Sequence, residues 1–439
     1  MVKLSVKREI WRDVLKRRKG TKGVLLITLI LLVQAVSGCA GRTAPEAQGS
    51  EYAAAVSMED TPIIDYTVPR LGPNILVNRR GYPAEGEKEA ALKGSKLPKR
   101  FSLVAADSGQ VVYTGEIQDI VYNDELGLYV GYADFSDYRT EGGYYLETEY
   151  IGRSYTFSIE EEIYQRLFEE LYYALLTECE ERTISLSDAI ALLTAYEWYP
   201  EIFPDEDGAA VPEVLSELAE WIGGRGQTQE ETGTEEALYA AFLAKFSYLY
   251  QKYDRQYATE CLRQASAMFE RVQKNMSKDA QSFLALTELY RATGYYTYRN
   301  QIADYKSYFE NNSSYLEEPG YLYGAMTYMV TRQRVDMELC NIFMSSLMDK
   351  GEEIAERHDD MIHPVTAKNN GCDDLLKRVS QLSCANYVLK SYQYNCVMEE
   401  LAHYLMGTNF KSVCFYPEQG TSTGYLAMFA QLAAAYRES

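Results

Sequence analysis

Bases are scarce in this chain: 43 Lys and Arg face 64 Asp and Glu over 439 residues, a formal charge of −21. Phosphate recognition rests on clustered Lys and Arg, so nucleic acid is excluded as a partner. Histidine and tryptophan occur three times each. The eight cysteines show no CxxC and no Cys/His spacing of a zinc site, and nothing in the sequence implies a cofactor. The apolar run VLLITLILLV (24–33) is about half of what a membrane-spanning helix needs. What is present is an ordinary globular composition, 46% apolar and 24% charged, which excludes wholesale disorder and at this length suggests two or three domains. Tyrosine, with 39 copies, is the conspicuous residue.

Nine bases (Lys3, Lys7, Arg8, Arg12, Lys16, Arg17, Arg18, Lys19 and Lys22) precede the apolar run, which therefore reads as the core of a signal peptide over 1–38. Val36-Ser37-Gly38-Cys39 looks like a bacterial lipobox, in which Cys39 becomes the first, lipid-modified residue. The expectation is an exported protein, anchored through Cys39 to a membrane and facing the exterior, with residues 39–70 as a flexible tether. Beyond Cys39, 34 bases and 62 acids leave a charge of −28. Seven cysteines remain there, an odd number, so at least one thiol is free; Cys384 and Cys396 fall in helical apolar patterns that suit buried thiols.

From Asn74 to about Ile159 short alternating runs are separated by turn residues, with Asp107-Ser108-Gly109 as a hairpin turn. Six or seven strands in this length predict a small β-sandwich over 71–160. After Glu160 apolar residues recur at helical spacing, and twelve helices are predicted at about 160–179, 185–199, 211–223, 233–251, 254–275, 278–293, 295–311, 318–333, 335–357, 374–392, 393–407 and 423–437. Twelve helices suffice for a barrel of six hairpins over 161–439. An open solenoid of helical pairs has a similar count, so the count alone does not close a ring.

These residues resemble a family. Asn74-Ile75-Leu76-Val77-Asn78-Arg79-Arg80-Gly81-Tyr82-Pro83 looks like the opening strand of the N-terminal immunoglobulin-like domain of glycoside hydrolase family 9 cellulases. The likeness continues through Phe101-Ser102-Leu103-Val104, Gly109-Gln110-Val111-Val112-Tyr113-Thr114-Gly115, Asp134-Phe135-Ser136, Gly142-Gly143-Tyr144-Tyr145 and Ser154-Tyr155-Thr156-Phe157-Ser158-Ile159. The resemblance implies an Ig-like β-sandwich followed by an (α/α)6 barrel. Weaker echoes in the barrel are Ala195-Tyr196-Glu197, Leu289-Tyr290-Arg291-Ala292-Thr293-Gly294 and Tyr404-Leu405-Met406-Gly407-Thr408-Asn409.

The family's inverting chemistry pairs a carboxylic acid with a carboxylate that activates water from the opposite side. The base of these enzymes comes from an Asp-Ala-Gly-Asp motif in a long loop between the first two barrel helices. That motif is absent here, where only Glu180-Glu181-Arg182-Thr183-Ile184 separates the two helices. Glu180 or Glu181 is the replacement base available, and Asp188 reads as a first-turn helix charge. The family's general acid is a glutamate shortly before the last helix, and Glu418 falls there, although Pro417 precedes it where the family has Asn. As a bare sequence feature Glu418 also fits an exposed loop glutamate.

Both catalytic loops lead into even-numbered helices, so the loops at 224–234, 275–278, 312–319 and 357–373 should share their mouth. The last holds His358 and His363 among Asp359, Asp360, Asp373 and Asp374, a solvated acidic loop that offers the histidines as substrate-binding groups but matches no metal loop. His403, between Leu401 and Leu405, fits a core or interhelical hydrogen bond. Tyrosine faces can stack on pyranose rings, and Tyr416 is the aromatic placed for that. Tyr172, Tyr173, Tyr248, Tyr250, Tyr295, Tyr296 and Tyr298 fall in helices and should pack the barrel's layers, with Trp198 and Trp221 structural. Three functions compete: a surface protein that keeps the cellulase fold as a glycan-binding or scaffold module without catalysis, a divergent inverting glycosidase of β-1,4-glucans using Glu418, and an envelope protein-interaction module.

Overall fold

The computed structural model describes residues 74–204, 209–224, 233–273, 279–312, 314–362, 371–417 and 422–438. The leader, the tether and Cys39 lie outside them, as do Glu418 and His363.

Nine strands form the N-terminal domain: β1 (Ile75–Leu76), β2 (Tyr82–Pro83), β3 (Glu89–Gly94), β4 (Arg100–Ala105), β5 (Val111–Asn123), β6 (Leu128–Asp134), β7 (Gly142–Thr148), β8 (Gly152–Arg153) and β9 (Phe157–Glu160). Three of them are two-residue pieces too short to register as period-two alternation, which is why the sequence shows fewer. The path is β1-β3-β6-β5-β4-β7-β9-β2, with β8 on β7 and β2 parallel to β9. Strand β5 belongs to both layers: its first half pairs β4 and its second half pairs β6, so one long strand turns the corner of the sandwich. The turn at Asp107-Ser108-Gly109 forms as expected, with Gly109 at φ 68°. Tyr82, Phe135 and Phe157 pack their rings at 5.2–5.5 Å in the middle of the core.

The helices are α1 (Ile163–Glu180), α2 (Leu186–Trp198), α3 (Glu213–Gly224), α4 (Gly233–Tyr250), α5 (Arg255–Gln273), α6 (Ala280–Thr293), α7 (Tyr296–Ala303), α8 (Lys306–Asn311), α9 (Pro319–Val330), α10 (Met337–Ile362), α11 (Cys372–Val388), α12 (Tyr392–Leu405) and α13 (Ser422–Glu438). The single helix expected at 295–311 is two, α7 and α8. Tyr305 and Phe309, one turn apart at the start of α8, both rest against Phe283.

Helices α2, α4, α6, α9, α11 and α13 each pack against the next, and α13 packs back onto α2, so the ring closes. These six are buried on nearly every face, whereas an outer helix such as α5 buries one stripe. Glycine permits the closest approach: a Cβ on Gly320 of α9 would lie 2.5 Å from the Ala280 carbonyl oxygen of α6. Thr423 of α13 reaches Asp188 of α2 at 3.2 Å. The N-termini of the inner helices thus share one end of the ring, and among the described residues no helix is long and apolar enough to cross a membrane.

The sandwich is bound to this ring through the chain after α12. Arg79 N–H donates to the Met406 carbonyl at 2.9 Å, and a Cβ on Gly407 (φ 136°) would sit 2.6 Å from the Val77 carbonyl oxygen. Asn78 meets His403 Nδ1 at 2.9 Å, so this histidine ties the two domains together rather than pairing helices. Burial lowers its pKa to about 4.

Candidate functional site at the mouth of the helical ring

The six N-termini of the inner helices surround the end of the ring where a substrate site is expected. Between α9, α11 and α13 they leave a cavity of about 280 Å³. Leu316, Pro319, Leu322 and Leu376 form its apolar wall; Glu317, Asp373, Lys377, Ser380 and Thr423 supply its polar groups. This is close to the smaller end of the usual range for ligand pockets. Glu317 sits in a 3-10 turn leading into α9 and Asp373 in the first turn of α11, where a carboxylate favours the positive helix end. No aromatic ring lines the cavity among the described residues.

The connection between α1 and α2 is a tight turn. Thr183 and Ile184 N–H both donate to the Glu178 carbonyl, Arg182 takes φ 59°, and the Arg182 guanidinium donates to the Gly224 carbonyl at 2.8 Å. Ser185 caps α2 by accepting from Asp188 N–H, and its hydroxyl donates back to Asp188 Oδ2 at 2.7 Å. Thr423 donates to the other oxygen of Asp188. Asp188 is therefore more than a first-turn charge: it links the first and last inner helices. Each oxygen of Asp188 accepts one of these hydrogen bonds, so the carboxylate fastens α2 to α13. Glu180 and Glu181 are exposed at the end of the outer helix α1, and neither lines the cavity.

Tyr416 is 6% exposed, with its ring against Tyr425 and Phe429 and the Arg80 guanidinium over it at 5.3 Å. A stacking platform needs an open face, so the expectation of a sugar contact at Tyr416 is corrected: it fixes the segment between α12 and α13 against the sandwich. Asn409 binds that segment to itself through Tyr404 and Val413, while Lys93 of β3 donates to the Phe410 carbonyl and covers the Phe410 ring at 3.5 Å. His358 is likewise engaged, with Nδ1 at 2.7 Å from the Ala355 carbonyl and Nε2 at 3.1 Å from Glu400 on α12. It packs two outer helices and does not line the cavity. Of the cavity's polar groups, Asp373 was read from sequence only as part of a solvated acidic loop, and Glu317 and Ser380 were not singled out.

The opposite end of the ring is plugged by charge. Lys245 Nζ lies 2.6 Å from Glu197 and 3.5 Å from Glu288, Arg291 pairs with both carboxylates, and Thr327 donates to Glu288 at 2.8 Å. Burial alone would raise the Glu197 pKa, but Lys245 and Arg291 hold it down at about 2. Trp198 stacks on Tyr387 at 4.4 Å beside this cluster, the structural role expected of it. Tyr295 and Tyr296, expected between layers, are instead exposed where α6 passes into α7.

An Ig-like sandwich leading into a closed (α/α)6 ring is the fold of family 9 glycoside hydrolases. Residues 70–153 match the family model described as the cellulase N-terminal ig-like domain. The whole is similar to the crystal structure of a metagenome-derived glycoside hydrolase family 9 endoglucanase, at 17% identity and a TM-score of 0.63, over 78% of this chain and 84% of that one. A Bacteroides ovatus GH9 protein is similar at 13% identity and TM-score 0.61, over 83% and 99%. AaCel9A, solved in complex with cellobiose-like isofagomine, gives 17% and 0.58, over 78% and 84%. No curated protein matches the sequence.

Proposed function

We propose that this protein binds neutral β-linked glucan without hydrolysing it at more than a trace rate, as a surface glycan-binding or scaffold module built on a cellulase fold. The observation that carries the reading is the turn between α1 and α2. Where the resemblance calls for a long loop bearing an aspartate base, residues 181–185 close a hydrogen-bonded turn that contains no aspartate, and Asp188, one helical turn on, is tied to Ser185 and Thr423. A positioned general base contributes about 10²- to 10⁴-fold to such a reaction. The mouth cavity, with two carboxylates, two hydroxyls and leucine walls, supplies hydrogen-bonding groups for one end of a sugar chain.

Affinity electrophoresis of the chain from Ala40 onward, in gels containing soluble β-glucan, tests binding. Retardation that is reduced by Ser380→Trp, which fills the cavity, supports the reading; migration identical to that in a glucan-free gel contradicts it. Export and lipidation at Cys39 belong to the same proposal, supported by the basic leader and the Val36-Ser37-Gly38-Cys39 sequence. Metabolic labelling with a radioactive fatty acid should mark the wild type and not Cys39→Ala, and equal labelling of both, or none of the wild type, refutes the lipid attachment.

A further inference from the structure

The end of the ring opposite the mouth has an open surface of its own. Of nine large apolar side chains exposed in the helical part among the described residues, six lie where inner helices hand over to outer ones at this end. They are Tyr295 and Tyr296 between α6 and α7, Val330 and Met337 between α9 and α10, and Leu389 and Tyr392 between α11 and α12. Helices α6, α9 and α11 are consecutive around the ring, so the three connections are neighbours. Two of them are joined directly. Gln333 donates to the Arg291 carbonyl at 3.2 Å, the Tyr290 hydroxyl donates to the Arg334 carbonyl, and a Cβ on Gly294 would lie 2.9 Å from Gln333 Oε1. Tyr295 lies against Tyr298 with the rings nearly parallel, and Asp336 caps α10 by accepting from Glu338 N–H at 2.9 Å. The patch is held in place from beneath.

Its bases face outward. Arg332 and Arg334 are exposed between Val330 and Met337, and among the described residues neither takes part in an ion pair. The charges beside them are satisfied locally: Glu338 pairs with Lys306, and Lys390 with Glu438. Asp205, Glu206 and Asp207 follow α2, which stands across the ring from α9. With a Debye length of about 8 Å at physiological salt, the local arginines count for more than the excess of acids over the whole chain. Exposed tyrosines with aliphatic groups and arginines beside them settle at a lipid headgroup layer, where rings and stems enter the hydrocarbon and polar tips stay wet. For a protein partner the patch is small. Three tyrosines at 62–83% exposure present on the order of 400 Å². Val330, Met337 and Leu389 add on the order of 150 Å², against roughly 800 Å² per partner in a stable protein interface. A second copy seated face to face would also set the two arginine pairs against each other. A membrane-anchored body needs only a weak contact, since a flexible chain as long as residues 40–73 spans about 30 Å root mean square and keeps the body beside the lipid.

We infer that this end of the ring is a membrane-facing surface that docks on anionic lipid headgroups and so turns the mouth cavity away from the membrane. The inference takes its setting from the lipid-anchor reading above, and its test omits the anchor, so the two can fail separately. The chain from Ala40 onward is sedimented with vesicles of equal parts phosphatidylglycerol and phosphatidylcholine, and with vesicles of phosphatidylcholine alone. It should bind the mixed vesicles more tightly, and less so as salt rises. Arg332→Glu/Arg334→Glu should weaken that binding tenfold or more, since one base near an anionic membrane is worth about fivefold. Tyr295→Ser/Tyr296→Ser, on the neighbouring connection, should weaken it as well, whereas Lys377→Glu, a charge reversal at the mouth, should stay within about twofold. All these side chains are exposed, so the melting temperature should not move, and a folding defect in one double variant leaves the other to decide. Failure to bind the mixed vesicles, binding that both double variants leave unchanged, or an equal loss in Lys377→Glu overturns the inference. Self-association that Tyr295→Ser/Tyr296→Ser abolishes, without vesicle binding, assigns the patch to a contact between copies and overturns it too. Vesicle binding that follows the patch variants, in a protein that takes no fatty acid at Cys39, upholds the surface and rejects the anchor.

Discussion

Lys245 has its ammonium between two carboxylates in the middle of a helical ring, 4% exposed, and this arrangement makes the cluster with Glu197, Glu288 and Arg291 sensitive to any single deletion. A buried ion pair is worth little against a well-packed apolar replacement, but removing one partner strands the others. Lys245→Met should therefore destabilise the fold by about 3–5 kcal/mol in urea unfolding. Glu197, held at about 2, contributes stability that is complete above its ordinary value of 4.5 and is lost as pH falls from there toward 2. Glu399, between the sandwich and the ring, has the opposite sign. Burial raises its pKa to about 7 even though the Tyr164 and Tyr436 hydroxyls donate to it. The folded state keeps a proton that the unfolded chain releases above about 4.5, so stability falls as pH rises from 4.5 to 7. Glu399→Gln should flatten that decline in melting temperature, and an unchanged slope rejects the assignment.

At the scale of elements, nearly every helix was legible because the inner and outer helices both leave apolar residues at helical spacing. Ring closure was not, since it depends on which helices approach one another, and a pattern such as Gly320 against Ala280 has no signature until the two are neighbours. Gly320→Ala should cost about 1–3 kcal/mol by driving a methyl group into backbone. Gly223→Ala, where a Cβ meets nothing within 4 Å, should be neutral or gain about 0.5 kcal/mol. The same distinction explains the site. The shortness of the α1–α2 turn could be read from Glu180 to Ser185, but the fate of Tyr416 could not, because its burial is decided by Arg80 of the sandwich and Phe429 of α13.

As a whole molecule the protein keeps the architecture of the cellulase fold while filling the place of the base loop with a capped turn. Its charge of −28 beyond Cys39 is balanced locally by bases in the ring at Glu197 and Glu288, which Lys245 and Arg291 neutralise. Such a surface disfavours anionic polymers and is compatible with the neutral glycan proposed as ligand. The separation of binding from turnover is the central claim, and the most direct measurement is the release of reducing ends from cellohexaose with the protein in excess over substrate, for the wild type and for Glu418→Gln. The account predicts bound oligosaccharide and no more than a trace of new reducing ends, with no difference between the two proteins. Rapid cleavage by the wild type that the Glu418→Gln substitution abolishes would contradict it.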